Sequence, residues 1–285
     1  MKSDTGVKMK PLRPYGSLEK GGSKSVGGES ELKLVLLFVA MVALCPPAYG
    51  QQGAATSSNP AAFPVGAVVS KVASAAKPDQ SYALYLPTSY SDAKRWPIVY
   101  VFDPGAHGSV PVELLKDAAE RHGYIVAGSN NSRNRSWPIE AEAARAMLLD
   151  TQERFTLDRH RVYLAGFSGG ARVAASIAQM CRCAAGVLSN GAGFRPDAST
   201  TSGTRFAVFA TVGTIDFNYA EVVQLDDQLE KLGYSHFLRR FDGPHQWAPE
   251  DAMEEAFAWF RLEAMQNGLA ARDASFVATQ ATRES

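Results

Sequence analysis

Short apolar runs alternate with amphipathic helical segments along most of this chain, and that alternation limits the folds open to it. The runs have the length and composition of strands, and the segments between them repeat apolar residues at helical spacing. Because a strand–helix–strand unit sets its two strands side by side in parallel, this succession predicts one mostly parallel sheet flanked by helices. The predicted strands are 81–87, 96–102, 124–128, 161–165, 185–189, 206–211 and 236–241, and the predicted helices are 111–122, 139–155, 168–180, 220–232 and 249–266.

The first 50 residues differ from the rest of the chain. An apolar run from Leu34 to Leu44 follows a basic residue and precedes Cys45. As a helix this run would span about 16 Å, which is too short for a hydrocarbon core of roughly 30 Å. The pattern predicts an export signal cleaved after Gly50, with a retained anchor at 34–44 or a lipoprotein as the alternatives. We therefore expect a secreted or periplasmic protein, which touches a membrane only if this segment is retained.

The length of 285 residues and the 46% hydrophobic content suit one folded α/β domain and exclude low-complexity disorder. The net charge is zero and gives no support to nucleic-acid binding. The expected organisation is a lead and signal at 1–50, a flexible leader at 51–78, the α/β domain at 79–268 and a tail at 269–285. No insertion between strands is long enough for a large lid domain, and the longest candidate, about 195–205, would form only a small flap.

Two cysteines remain once the signal is removed, Cys181 and Cys183. An even number of cysteines in an exported chain permits a disulfide, although bridging residues so close in sequence strains the geometry. A disulfide and a pair of buried thiols both stay open. A single C-x-C pattern does not indicate a metal site.

The pentapeptide 166–170 reads Gly-Phe-Ser-Gly-Gly and lies between the predicted strand 161–165 and the helix that follows it. A G-x-S-x-G sequence between a strand and a helix is typical of a sharp turn that exposes a nucleophilic serine. The glycines are needed because such a turn leaves no room for Cβ atoms on the neighbouring strand and helix. The pattern predicts Ser168 as a nucleophile.

A serine hydroxyl needs a base to take its proton, and the chain offers 5 histidines. His245 is the predicted base, because it follows the last predicted strand and precedes the last predicted helix. His122 and His160 are expected to be solvated surface residues. His236 lies inside a predicted strand, where a structural role is the simpler interpretation.

The base needs a carboxylate to fix its tautomer and to stabilise its charged form. Asp216 follows the predicted strand 206–211, and the chain order Ser168, Asp216, His245 fits that of enzymes with this serine turn. Asp242 is the competitor, but it is so near the histidine in sequence that the loop would have to fold back sharply. We predict Asp216 as the partner of the base.

Acyl transfer also requires two aimed N–H donors for the oxyanion. We expect the backbone N–H of Gly169 as one donor, and Gly105 or Ala106 as the other, because Pro104 in the same loop has no N–H. Metal and cofactor sites are not predicted, since no H-E-x-x-H, P-loop or G-x-G-x-x-G pattern is present. The side chains expected to line the substrate site are Phe167, Trp247, Asn190, Phe217 and His107.

Taken together, residues 81–266 resemble the α/β-hydrolase superfamily, and within it exported serine esterases of the polyhydroxybutyrate-depolymerase and feruloyl-esterase type. The stretches that carry the resemblance are 85–87, 166–170, 213–216 and 243–247. One departure is that those esterases usually have His-Gly where this chain has Asp103-Pro104. The resemblance implies an α/β-hydrolase fold and hydrolysis of a small or polymeric carboxylic ester without a cofactor. A Ser-His-Asp triad and an acyl-enzyme intermediate would carry the reaction.

Two alternatives to an esterase stay open at this point. The first is a peptidase or an acyltransferase, which would use the same residues on the same fold. The second is a non-catalytic binding domain, because a fold does not by itself imply chemistry. An intact set of serine, histidine and aspartate argues against a pure binding domain, which needs none of them.

Overall fold

The computed structural model describes residues 63–195 and 206–283, which build one eight-stranded sheet and the helices around it. The strands are β1 (Val68–Ala73), β2 (Ser81–Tyr85), β3 (Trp96–Phe102), β4 (Ile125–Ser129), β5 (Leu157–Phe167), β6 (Ala184–Asn190), β7 (Ala207–Gly213) and β8 (His236–Phe241). The helices are α1 (Ser109–His122), α2 (Trp137–Arg154), α3 (Gly169–Cys181), α4 (Tyr219–Leu232), α5 (Glu250–Gln266) and α6 (Ala274–Arg283).

The strand order across the sheet is β1-β2-β4-β3-β5-β6-β7-β8. The six strands from β3 to β8 run parallel to one another. At one edge, β2 runs antiparallel to both of its neighbours, β1 and β4. This arrangement confirms the predicted mostly parallel sheet flanked by helices. Apart from the link between β6 and β7, part of which lies outside the described residues, each pair of strands consecutive in sequence is joined by a turn, a loop or a single helix.

Each face of the sheet carries its own apolar core, as expected where helices cover both sides of parallel strands. All seven residues of β3 are buried, and they alternate between the two cores: Tyr100 belongs to one and Val101 to the other. Helices α2, α3 and α4 pack on the first face, and α1 and α5 pack on the second. These buried strands hold the loops at their carboxyl ends in fixed positions.

The structure corrects the predicted boundaries at both ends of the domain. Strand β1 lies inside the predicted flexible leader 51–78 and pairs with β2, Val68 lying opposite Tyr85. Its short, partly polar sequence alternates only weakly, because an edge strand exposes most of its side chains. Helix α6 lies inside the predicted tail 269–285, and the Phe276 ring packs against the His122 ring at 5.6 Å.

Cys181 and Cys183 form a disulfide at the end of α3, with their Cα atoms 5.1 Å apart. This pairing decides between the two alternatives that the sequence left open. The predicted signal, the possible anchor at 34–44 and residues 196–205 of the predicted flap lie outside the described residues. Within the described ranges, no helix combines the length and the apolar character needed to cross a bilayer.

Candidate active site

Three loops at the carboxyl edge of the sheet bring together the side chains that the sequence singled out. Ser168 lies between β5 and α3, Asp216 follows β7, and His245 lies between β8 and α5. In an open parallel sheet this edge is where ligands bind, because the loops there form a crevice supported by the buried strands. The fold therefore places all three predicted residues at one rim.

Ser168 occupies a sharp turn with an unusual backbone conformation, φ 53° and ψ −118°. A positive φ at a residue with a side chain costs of order 1–3 kcal/mol and persists only where the surroundings impose it. Here the Ser168 N–H donates to the Asn190 carbonyl at 2.8 Å. A Cβ on Gly166 would lie 2.2 Å from the Gly170 carbonyl oxygen, and one on Gly170 would lie 1.9 Å from the Phe102 carbonyl oxygen. The glycines are thus required by close backbone approach, as predicted.

Hydrogen bonds link the three side chains in sequence. His245 Nε2 lies 2.8 Å from Ser168 Oγ, and His245 Nδ1 lies 2.9 Å from both carboxylate oxygens of Asp216. The Asp216 side chain is fully buried, and Oδ1 also accepts the Asn218 N–H at 2.7 Å. When Nδ1–H donates to this carboxylate, Nε2 carries the lone pair that can accept the serine proton. Asp242 is exposed and takes no part in this arrangement.

His122, His160 and His236 take no part in the hydrogen bonds of Ser168, Asp216 and His245. The prediction that His122 is a solvated surface residue is wrong: its side chain is 4% exposed and its Nε2 lies 3.0 Å from Glu254, because α5 and α6 cover it. Burial lowers the pKa of His122, and the neighbouring Glu254 carboxylate partly opposes this shift. His236 contacts the Tyr234 carbonyl at 3.0 Å, in keeping with a structural role, and His160 is exposed.

The oxyanion side of the site departs from the prediction. The Gly169 N–H, the first predicted donor, has no acceptor among the described residues. The Gly105 N–H instead donates to Asp103 Oδ1 at 2.8 Å, and the Ala106 N–H donates to the Asp103 carbonyl at 3.0 Å. Both predicted second donors are therefore engaged within their own loop. The reason is that Asp103 accepts hydrogen bonds from the residues that follow it in the loop. The prediction considered only which residues have an N–H and not whether that N–H is already bonded.

Asn190 was predicted to bind substrate, and this assignment is wrong. Its side chain is fully buried: Nδ2 donates to the Gln246 carbonyl at 3.1 Å, and Oδ1 accepts the Ala248 N–H at 3.0 Å. The Thr211 hydroxyl donates to the same oxygen. The amide thus fastens the loop that carries His245 to the ends of β6 and β7.

Aromatic side chains surround the imidazole. The rings of Phe167 and Phe217 lie 4.6 and 4.1 Å from the His245 ring, and Phe217 is 78% exposed. The Trp247 ring lies 5.6 Å from Phe167, and its N–H donates to Asp103 Oδ2 at 3.1 Å. The exposed His107 side chain lies 3.5 Å from Asp103 Oδ1. The predicted lining residues other than Asn190 are therefore next to the site, with the aromatic rings nearest the imidazole.

One side chain at the site was missed by the sequence interpretation. The amide of Asn134, in the loop between β4 and α2, packs directly against Gly169. A run of asparagine and arginine residues at 130–135, just after a buried strand, was the available signal. Within residues 63–195 and 206–283, no group of three or more His, Cys, Asp or Glu side chains is arranged to hold a metal ion.

Comparison with known proteins identifies the fold. No known protein family and no curated protein matches the sequence. Among solved structures, a ferulic acid esterase aligns with a TM-score of 0.58 and 17% identity over 69% of this chain and 98% of that one. A Staphylococcus aureus fluorophosphonate-binding serine hydrolase aligns with a TM-score of 0.56 and 16% identity over 69% and 99%. A hyperthermophilic esterase from the archaeon Pyrobaculum calidifontis aligns with a TM-score of 0.54 and 14% identity over 86% and 93%.

These likenesses and the strand order establish that the chain has the α/β-hydrolase fold, as the sequence resemblance implied. At sequence identities below 20%, these structural similarities show the fold only, and the chemistry has to be argued from the site residues.

Proposed function

We propose that this protein is a serine hydrolase that cleaves carboxylic esters through an acyl-enzyme intermediate. The observation that carries the proposal is the continuous hydrogen-bonded series from the buried Asp216 carboxylate through His245 to Ser168 Oγ. A hydroxyl becomes an effective nucleophile when a positioned base accepts its proton, and a buried carboxylate keeps that base in the required tautomer.

In the first step, Ser168 Oγ attacks the ester carbonyl carbon while His245 Nε2 takes the hydroxyl proton. The carbonyl oxygen becomes an oxyanion, which accepts the Gly169 N–H. Collapse of the tetrahedral intermediate breaks the bond to the alcohol, and protonated His245 gives its proton to the leaving oxygen. The products are a free alcohol and an acyl group bound to Ser168.

In the second step, water replaces the alcohol in the site. His245 takes one proton from the water as its oxygen attacks the acyl carbon. The second tetrahedral intermediate then expels Ser168 Oγ, which recovers the proton from His245, and the carboxylic acid leaves. Asp216 stays ionised throughout and stabilises the charged imidazole in both steps.

The solved structures that resemble this chain support an ester as the substrate, because they include a ferulic acid esterase and an archaeal esterase. The exposed Phe217 ring beside the imidazole favours small or polymeric esters, which can reach it from solvent. The amino-terminal pattern supports export to the periplasm or the medium, and amino-terminal sequencing of the released protein tests that part.

Steady-state hydrolysis of p-nitrophenyl acetate tests the proposal. We expect the wild-type protein to hydrolyse this ester. For Ser168→Ala we expect kcat to decrease about 10⁴-fold or more, because the nucleophile is missing. Ser275→Ala, at the start of α6 where the hydroxyl donates to Asp273 Oδ1, is the matched control and should keep wild-type kcat. Equal turnover by Ser168→Ala and wild type, with both proteins folded, would overturn the proposal.

A further inference from the structure

Of the three backbone donors predicted for the oxyanion, only one lacks an acceptor in the described part of the chain. Gly169 provides one free N–H, but the N–H groups of Gly105 and Ala106 already donate to Asp103. Preorganised donors at the oxyanion account for a large part of catalysis in acyl transfer, so a second donor is needed from another element.

Asn134, in the loop between β4 and α2, carries a side-chain amide close to Gly169. Its backbone N–H donates to the Pro104 carbonyl at 3.0 Å, and the preceding Arg133 pairs with Gly105 in an isolated β-bridge. These contacts fix the loop between β4 and α2 to the loop after β3. The Asn134 backbone is thereby held, while its side chain extends towards the serine turn.

The amide of Asn134 is in contact with the residue that follows the nucleophile. A Cβ built on Gly169 would lie 1.7 Å from Asn134 Oδ1, 2.7 Å from Cγ and 3.2 Å from Nδ2. Gly169 is not among the residues with positive φ, so its backbone conformation does not require glycine. What requires glycine is the volume that the Asn134 amide fills. The space beside Gly169 is therefore filled by an amide from another loop rather than by a side chain of residue 169.

The amide is also available for a new partner. Asn134 is exposed, and no side-chain hydrogen bond joins its amide to another described residue. The terminal torsion of an asparagine side chain is broad and close to two-fold, so rotation can present either Nδ2 or Oδ1 to the same point. Because the Asn134 amide occupies the position that a Cβ on Gly169 would take, it lies beside the residue whose N–H would bind the oxyanion.

From these contacts we infer that Asn134 Nδ2 is the second oxyanion donor, acting together with the Gly169 N–H. The inference rests on the proposed ester hydrolysis and names a catalytic residue for it. In the reaction, the amide N–H donates to the substrate oxygen when the carbonyl carbon becomes tetrahedral, and it releases the oxygen when the carbonyl reforms. No proton is transferred, so Asn134 should affect the transition state more than the bound ester.

Kinetics of Asn134 variants test this role. We expect Asn134→Ala to lower kcat for p-nitrophenyl acetate about 10²- to 10³-fold with KM changed less than about threefold, as for loss of one oxyanion donor. Asn134→Asp keeps the shape but places a carboxylate beside the oxyanion, and should lower kcat further. Asn267→Ala, an exposed asparagine at the end of α5 bonded only to Glu263, is the control and should keep wild-type kcat.

Three outcomes separate the possibilities. If wild type hydrolyses the ester and both Asn134 variants keep kcat within about threefold, the inference is overturned while the proposed function stands. A rise in KM without a fall in kcat would make Asn134 a ground-state contact and would also overturn it. If wild type neither hydrolyses an ester nor reacts with a fluorophosphonate, the proposed function itself has failed. Thermal unfolding of each variant confirms that kcat refers to folded protein.

Discussion

Asn190→Ala is expected to destabilise the protein and to misplace His245, the proposed base. The substitution removes the partner of the Ala248 N–H, the Thr211 hydroxyl and the Gln246 carbonyl. Ala248 and Thr211 are buried, so the Ala248 N–H and the Thr211 hydroxyl would each lose, away from water, the acceptor that the described structure gives them. A buried donor left without an acceptor costs about 1–3 kcal/mol, so we expect a loss of about 2–4 kcal/mol of unfolding free energy.

Urea denaturation measures this loss, and ester hydrolysis under conditions where the variant stays folded measures its effect on the loop of His245. Thr211→Val is the matched control: it removes the hydroxyl bond but leaves both contacts of Asn190 to the loop intact. We expect Thr211→Val to lower stability by about 1–2 kcal/mol while kcat stays near wild type. Unfolding free energies for Asn190→Ala and wild type that agree within about 0.5 kcal/mol would show that these hydrogen bonds do not stabilise the fold.

Three further predictions address the acid, the turn and the buried histidine. Asp216→Asn keeps the shape but favours the wrong imidazole tautomer, so kcat should fall about 10³- to 10⁴-fold without loss of fold; a kcat near wild type would contradict this. Gly166→Ala would place a Cβ 2.2 Å from a carbonyl oxygen in α3 and should prevent stable folding or abolish activity. At Gly233, where φ is +67° and the space is open, alanine should cost only about 1 kcal/mol, as melting temperatures would show. Burial lowers the pKa of folded His122, so the unfolded chain binds the proton more readily and stability should fall as the pH drops below about 6.5. His122→Gln should flatten that fall in denaturation experiments between about pH 7 and 5, and an unchanged slope would count against it.

The elements that sequence patterns predicted best are those buried on both faces. The predicted strand 96–102 coincides with β3, since a continuous apolar run leaves few alternatives for its limits. Strand β1 was missed, because only part of one face of an edge strand is buried and its sequence shows little alternation. Helix α6 was missed because its sequence carries few apolar residues; its Phe276 ring contacts His122 and Arg261.

The site residues also divide into those that the sequence could predict and those that it could not. Ser168, Asp216 and His245 could be predicted, because each follows a recognisable strand and the chemistry requires those residue types in that order. The competition for N–H groups around Asp103 could not be predicted, since it depends on side-chain conformation within one loop. The contact between Asn134 and Gly169 joins two loops that only the strand order brings together.

Mass spectrometry after treatment with a fluorophosphonate measures whether Ser168 is an activated nucleophile, because only a serine activated by a neighbouring base reacts at a useful rate. We expect one stoichiometric adduct on the peptide that contains Ser168, and a large decrease in labelling rate for His245→Ala. An unlabelled Ser168 in folded protein, or an adduct at equal rate in wild type and His245→Ala, would contradict this expectation.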